Sequence, residues 1–177
     1  ITDDVTMQHQ KRARPFLEAG LPTFIDKPLS SDPAEAADLV ALARRAGSPL
    51  MSCSALRYAK ELSAARDAIR ALGQLACATA TGPGELVFYG IHPLELAHTV
   101  MGPGIISARN IGDKERALVQ YLYADGRFIT LQVLGSARPG LSATFYGENG
   151  CAHIAIQDHG YYYRAMLEAF VEMVATR

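Results

Sequence analysis

Lys27 and His92 are the two residues of this sequence whose type and position best suit chemistry. Lys27 stands in Thr23-Phe24-Ile25-Asp26-Lys27-Pro28, a short β-prone run that ends in an acid, a lysine and a proline. In parallel α/β sheets, ligands bind at the carboxyl ends of the strands. A lysine placed there supplies positive charge or, if its pKa is lowered by partial desolvation, acts as acid or base itself. The plain alternative is a surface lysine that follows a strand. His92, in Gly90-Ile91-His92-Pro93, has an unperturbed pKa near neutrality and can shuttle a proton; alternatively it only marks the helix start before Pro93. Arg57 and Tyr58 follow a predicted strand and can reach a substrate or a phosphate group, Arg57 otherwise being an ordinary solvated arginine. His98 lies inside an apolar helix and reads as structural. His153 and His159 lie on or beside a predicted hairpin, and His9 is assigned to packing or loop structure.

The elements that must hold these residues alternate at first. Residues 8–19 read as a helix with Ala13, Phe16 and Leu17 on one side, stopped by Gly20; it begins near His9 with a kink at Pro15, or near Arg14 with Pro15 in its first turn. A strand over 23–26 follows. Asp32-Pro33-Ala34-Glu35 then combines an N-cap acid, a proline at the first helical position and a glutamate three residues after the cap. Ala36, Leu39, Val40 and Ala43 recur at helical spacing, Arg44 and Arg45 favour the last turn, and Gly47 closes it. A second strand is predicted over 50–54. This helix–strand–helix–strand order is the grammar of a parallel α/β sheet.

Beyond it the grammar changes. A single helix is predicted over 59–72, with Leu62, Ala65, Ile69 and Leu72 on one face, then a strand over 75–81 and a break at Gly82-Pro83-Gly84. His92-Pro93 opens a short helix that runs to Met101. Residues 116–124 and 127–134 flank Asp125-Gly126, a strong hairpin signal. Residues 141–146 and 151–156 flank Gly147-Glu148-Asn149-Gly150, and a final helix over 161–176 is expected to bury Tyr163, Leu167, Phe170 and Val174. The predicted fold class is α/β plus α+β: a partial Rossmann-type parallel unit over residues 1–55, then a carboxyl-terminal unit over 56–177 with a mainly antiparallel open sheet covered by helices. Tyr121, Tyr123 and Phe128 either give that sheet a broad half-apolar face for a partner subunit or pack under its helices.

The bulk properties exclude several classes. The 177 residues are 49% hydrophobic, enough for a real core, and the formal charge of -1 lacks the basic footprint of a nucleic-acid binder or a polybasic membrane patch. Cys53, Cys77 and Cys151 show neither disulfide nor zinc spacing, so no metal is expected and a reducing, cytoplasmic setting is the default. No apolar run approaches the roughly 18 residues of a membrane span. A small-molecule partner is the default expectation. The chain begins with Ile, opens almost directly into a helix, and is expected to lack an amino-terminal part.

Several of these segments, in order, resemble the glucose-fructose oxidoreductase/inositol dehydrogenase/MocA family. His9, Leu17-Glu18-Ala19-Gly20 and Phe24-Ile25-Asp26-Lys27-Pro28-Leu29 resemble the segment around its Glu-Lys-Pro motif, with an interval of eighteen from His9 to Lys27. Gly90-Ile91-His92-Pro93-Leu94-Glu95-Leu96 with Met101-Gly102 resembles its Gly-x-His signature. The resemblance covers essentially the whole chain. It implies an NAD- or NADP-dependent dehydrogenase acting on a sugar, polyol or related hydroxy compound. It also implies a homo-oligomer, dimer or tetramer, built through the open sheet. Lys27 and His92 become the catalytic candidates across a cleft, Lys27 and Pro28 the cofactor contacts, and Arg57 and His92 the substrate contacts. It further motivates a cis Lys27-Pro28 bond.

The departures are specific. No Gly-x-Gly-x-x-Gly follows a strand, so the dinucleotide fingerprint is not in these 177 residues. Asp26 replaces the usual Glu, and Phe88 stands four residues before His92, where many relatives carry an acid. Phe cannot transfer or position a proton. Glu85 is a candidate to replace that acid by reaching toward His92. The alternative function is a non-catalytic relative that acts as a carbohydrate-binding or assembly module.

Overall fold

The computed structural model describes residues 1–2 and 8–176, and the chain divides into two compact units, Ile1–Ser54 with Arg164–Arg177, and Ala55–Tyr163. In the first unit, β1 (Thr23–Phe24) and β2 (Leu50–Met51) pair in parallel, with Thr23 opposite Leu50 and Phe24 opposite Met51. On the other side of β1, the amino group of Ile1 donates to the Phe24 carbonyl at 2.6 Å and the Ile1 carbonyl accepts from the Asp26 N–H at 2.9 Å, again in the parallel pattern. Side chains alternate across β1. Ile25, fully buried, enters a core with Ala13 and Leu17 of α1 (His9–Glu18) and Leu39, Leu42 and Ala43 of α2 (Pro33–Ala46). Phe24 meets Phe170 of α7 (His159–Ala175) edge to face, with ring centroids 5.9 Å apart.

Helix α1 starts at His9 and keeps Pro15 inside it, so the earlier of the two possible starts is the one adopted. Its buried stripe is His9, Ala13 and Leu17, a strict four-residue spacing; Phe16, expected on that face, is 49% exposed. The start of α2 follows the sequence signals with one change. Asp32 Oδ1 accepts the Ala34 N–H at 2.7 Å and Pro33 occupies the first turn. Glu35 reaches the Ser30 hydroxyl at 2.9 Å instead of the cap's own N–H, and Ser30 Oγ accepts that N–H at 3.0 Å, so the capping box is closed through a relay.

The second unit is built on a six-stranded sheet of β3 (Leu75–Gly82), β4 (Ile105–Asn110), β5 (Ala117–Tyr123), β6 (Phe128–Val133), β7 (Ser142–Gly147) and β8 (Gly150–Ala155), in the spatial order β4-β5-β6-β3-β7-β8. Only β3 and β6 pair in parallel. Both predicted hairpins form, β5–β6 around Asp125-Gly126 and β7–β8 around Glu148-Asn149. Over one face lies α6 (Ile91–Met101), which packs on β3, β6 and β7 and buries Pro93, Leu96, Ala97 and Met101. At its carboxyl end Tyr123 donates to the Gly102 carbonyl at 2.9 Å, and Arg127, paired with Asp125 and stacked over Tyr123, donates to the Met101 carbonyl at 2.9 Å.

Four further expectations change. The helix predicted over 59–72 is broken at Ala65 (φ -84°, ψ 0°) into α3 (Lys60–Ala64) and α4 (Arg66–Ala71), although Leu62 and Leu72 are buried as predicted. An extra turn, α5 (Leu86–Tyr89), fills the predicted break before His92. Tyr121 and Tyr123 do not share a face with Phe128: Leu122 is the residue opposite Phe128, so the two tyrosines point to the helix side, where Tyr123 is 3% exposed. The first half of the stripe on α7 shifts by one residue, whereas Phe170 and Val174 are half-buried and Phe170 packs on Phe24 as expected of the inner face. Tyr162 and Met166 are buried, whereas Tyr163 and Leu167 are 54% and 53% exposed. Tyr162 is drawn in by His159, whose Nδ1 lies 3.0 Å from its hydroxyl.

The start of α7 is tied to α3 by Glu61, whose Oε1 accepts the N–H groups of Gln157 and Asp158 at 3.0 and 2.9 Å, and by the Lys60–Asp158 ion pair. Burial pushes the Glu61 carboxyl up, but the backbone donors Asp158 and Gln157 outweigh it and hold it below the ordinary glutamate range. A folded-state pKa below the unfolded one stabilises the protein above the unfolded value, about 4.3, and this stabilisation is lost as the pH falls through the folded value. Thermal melts of Glu61→Gln between about pH 5 and pH 3 are therefore expected to fall less steeply with acidification than those of the parent; equal slopes would rule out Glu61 as a contributor.

Candidate functional site

Lys27 sits directly beyond the carboxyl end of β1, in the first unit. The Lys27–Pro28 peptide is cis, as the resemblance implied. Lys27 is partly exposed and forms no ion pair among the described residues. The turn is held from behind by His9, which is fully buried and whose Nδ1 donates to the Pro28 carbonyl at 2.9 Å. A carbonyl only accepts, so Nδ1 carries the hydrogen in this contact. The interval of eighteen between His9 and Lys27 thus has a physical basis: the first residue of α1 anchors the backbone that carries the lysine. Sequence reasoning assigned His9 to packing or loop structure without finding its partner.

His92 belongs to the second unit, in the first turn of α6. The chain leaves β3 at Gly82, is pinned to the end of β6 by the reciprocal bonds of Gly84 and Gly135 at 2.9 and 3.1 Å, turns through α5, and enters α6 at Gly90. Two glycines make this compact. A Cβ on Gly82 would lie 2.9 Å from Pro93 Cγ, so the glycine lets the start of α6 rest on the strand end. Gly84 has φ +82°, and a Cβ there would lie 2.6 Å from the ring of Tyr89. Tyr89 in turn meets His92 with ring centroids 5.9 Å apart at 61°. Phe88 is 44% exposed. Glu85, offered above as a substitute acid, is exposed at the cap of α5 and makes no capping bond; it lines a cavity of ≈ 900 Å³ with Asn110, Asp113, Glu115 and Arg116.

Arg57 lies in a short 3-10 turn, Ala55–Tyr58, and is brought to the His92 helix: it pairs with Glu95, one turn after His92, whose side chain is only 12% exposed. Glu95 was not singled out in the sequence, although three-residue spacing from a helical histidine is the signal that marks it. Arg57 also borders a cavity of ≈ 310 Å³ shared with Arg66, Arg70, Ser63 and Thr99, in which Arg57 and Arg70 are paired with Glu95 and Asp67. Among the described residues no cluster of three or more His, Cys, Asp or Glu is arranged to hold a metal ion, and no helix is long and apolar enough to cross a membrane.

No protein-family model and no curated protein matches the chain. Solved structures do. GenD2 from gentamicin A biosynthesis, crystallised in complex with NAD, superposes with a TM-score of 0.81 at 17% identity over 97% of this chain and 66% of its own. Myo-inositol 2-dehydrogenase from Lactobacillus plantarum gives 0.81 at 18% identity over 97% and 68%. The UDP-N-acetylglucosamine 3-dehydrogenase GnnA from Acidithiobacillus ferrooxidans gives 0.80 at 16% identity over 100% and 69%. The chain thus spans about two thirds of the length of these structures, and at such identities the likeness establishes the fold: a parallel Rossmann-like portion joined to a domain with a mostly antiparallel sheet, shared with sugar and polyol dehydrogenases.

Gly84 is the residue on which the His92 segment turns. Gly84→Ala places a side chain at positive φ, at a cost of about 1–2 kcal/mol, and crowds Tyr89. A drop in melting temperature of at least about 2–4 °C, measured by calorimetry, is expected; an unchanged melt would show that the loop relaxes freely.

Proposed function

We propose that this chain is the catalytic part of an NAD- or NADP-dependent oxidoreductase acting on a sugar, polyol or related hydroxy compound. The observation that carries this is Lys27 at the end of a parallel strand, on a turn fixed by His9, within a fold shared with sugar and polyol dehydrogenases. The residues present fit part of a dinucleotide site. Lys27 and Pro28 stand where open α/β sheets bind ligands, whereas no glycine-rich strand-to-helix turn that would cradle a pyrophosphate lies in these 177 residues. When bound, the nicotinamide supplies the hydride acceptor.

The chain's own residues have the remaining work. Oxidation of an alcohol requires removal of the hydroxyl proton and a positive charge near the developing oxyanion. Lys27 supplies the charge or accepts the proton, and His92 contacts the substrate hydroxyl or shuttles its proton. Arg57, anchored by Glu95, contacts polar groups of the substrate. Phe88 favours a second reading, a non-catalytic relative that binds carbohydrate, because the position offers no proton-transfer group.

Lys27→Ala in the full-length protein is expected to lower NAD(P)-dependent turnover by about 10²–10⁴-fold with circular dichroism and melting temperature unchanged. Full activity in Lys27→Ala would refute the assignment, and failure of the parent to bind either nucleotide in a fluorescence titration would favour the non-catalytic reading.

We also propose self-association through the sheet face away from α6. The register aligns Leu122, Phe128, Cys77, Tyr146 and Cys151 in one row across five strands, beside a row of Gln120, Thr130, Thr79, Thr144 and His153. Leu122→Glu with Tyr146→Glu is expected to convert a dimer or tetramer to monomer in sedimentation experiments; a parent that sediments as a monomer at every concentration sinks the proposal.

A further inference from the structure

A proton-transferring histidine needs its ring held in one orientation, and the group expected to do so four residues earlier is replaced by Phe88, which is 44% exposed. The next residue, Tyr89, is in ring contact with His92, with centroids 5.9 Å apart and planes inclined at 61°, the edge-to-face geometry that aromatic rings prefer. Tyr89 is 52% exposed and is held on its inner side. Its ring lies against Gly84, where a Cβ would come within 2.6–2.9 Å of Tyr89 Cγ, Cδ2 and Cβ, and Gly84 is bonded on both its N–H and its carbonyl to Gly135. The Tyr89 N–H donates to the Glu85 carbonyl at 2.8 Å. On the other side of the pair, Pro93 rests on Gly82 and fixes the first turn of α6. The chain therefore runs from the end of the sheet through Gly84 and the Tyr89 ring to the imidazole, with close contacts at each step.

We propose that Tyr89 is a positioning residue for His92, orienting the imidazole through contact with its ring. The inference rests on His92 serving the oxidoreductase proposed above. The aromatic ring is the operative feature; the hydroxyl is dispensable.

The test compares Tyr89→Phe, which keeps the ring, with Tyr89→Leu and Tyr89→Met, two non-aromatic replacements that fill the space over Gly84. The pH titration of the His92 imidazole is followed by NMR in the full-length protein alongside kcat and KM. Tyr89→Phe is expected to match the parent in both. Loss of the ring in Tyr89→Leu or Tyr89→Met is expected to move the His92 midpoint by about 0.4–1 pH unit and to lower kcat about two- to tenfold with little change in KM. An unmoved midpoint in a folded non-aromatic variant overturns the proposal, as does a Tyr89→Phe variant that behaves like Tyr89→Leu. A shifted midpoint in a protein that turns over no substrate would sink the oxidoreductase reading while leaving Tyr89 as the residue that holds His92.

Discussion

The closeness of α6 to β3 is the constraint on which the second unit depends. On the face that meets the helix, β3 offers only Ala78, Ala80 and Gly82, all buried, and α6 answers with Pro93, Leu96, Ala97 and Met101 at the spacing of a single helical stripe. Small residues on the strand allow the helix to descend, and Pro93 on Gly82 fixes its starting end. Its far end is fixed by Tyr123 and Arg127 donating to the last carbonyls. The strand that carries this contact is also the one that joins the parallel and antiparallel parts of the sheet, paired with β6 on one side and β7 on the other. His92 inherits its position from all of these contacts.

In the first unit the same logic operates on a smaller scale. Ile25 faces α1 and α2 while Phe24 faces Phe170, so the last residue of β1 and the one that follows it turn to opposite sides. Once they are committed, Asp26, Lys27 and Pro28 must emerge at the strand end, and His9 fixes the last of them through its carbonyl. A buried polar ring spent on a backbone carbonyl is costly unless the bond is made, which makes His9 a determinant of the turn and not merely a filler of the α1–α2 core.

Much of this was legible in the sequence because local and global signals agreed. Asp32-Pro33 and Gly47 bound α2, and Asp125-Gly126 and Gly147–Gly150 placed both hairpins, since caps and tight turns depend on a few neighbouring residues. What failed was whatever depends on distant partners. The break at Ala65 has no glycine or proline to announce it. On α7 the residues that meet the first unit's strand, such as Phe170 against Phe24, follow the predicted stripe, whereas near its start Tyr162, in contact with His159, is buried in place of Tyr163. The side on which Tyr121 and Tyr123 lie follows from the β5–β6 register, which composition alone does not give.

The candidate site shows the same division between what local signals supply and what folding adds. Lys27 and His92 were visible as chemically apt residues at element ends, but the residues that hold them, His9, Glu95 beside Arg57, Tyr89 and Gly84, emerge only when the chain is folded. Proton transfer tolerates little misplacement, so supporting contacts decide whether an apt residue is an effective one. Phe88 offers no carboxylate to orient His92. The Tyr89 ring, which lies against Gly84 on one side and meets the imidazole edge to face, serves that orienting role by shape.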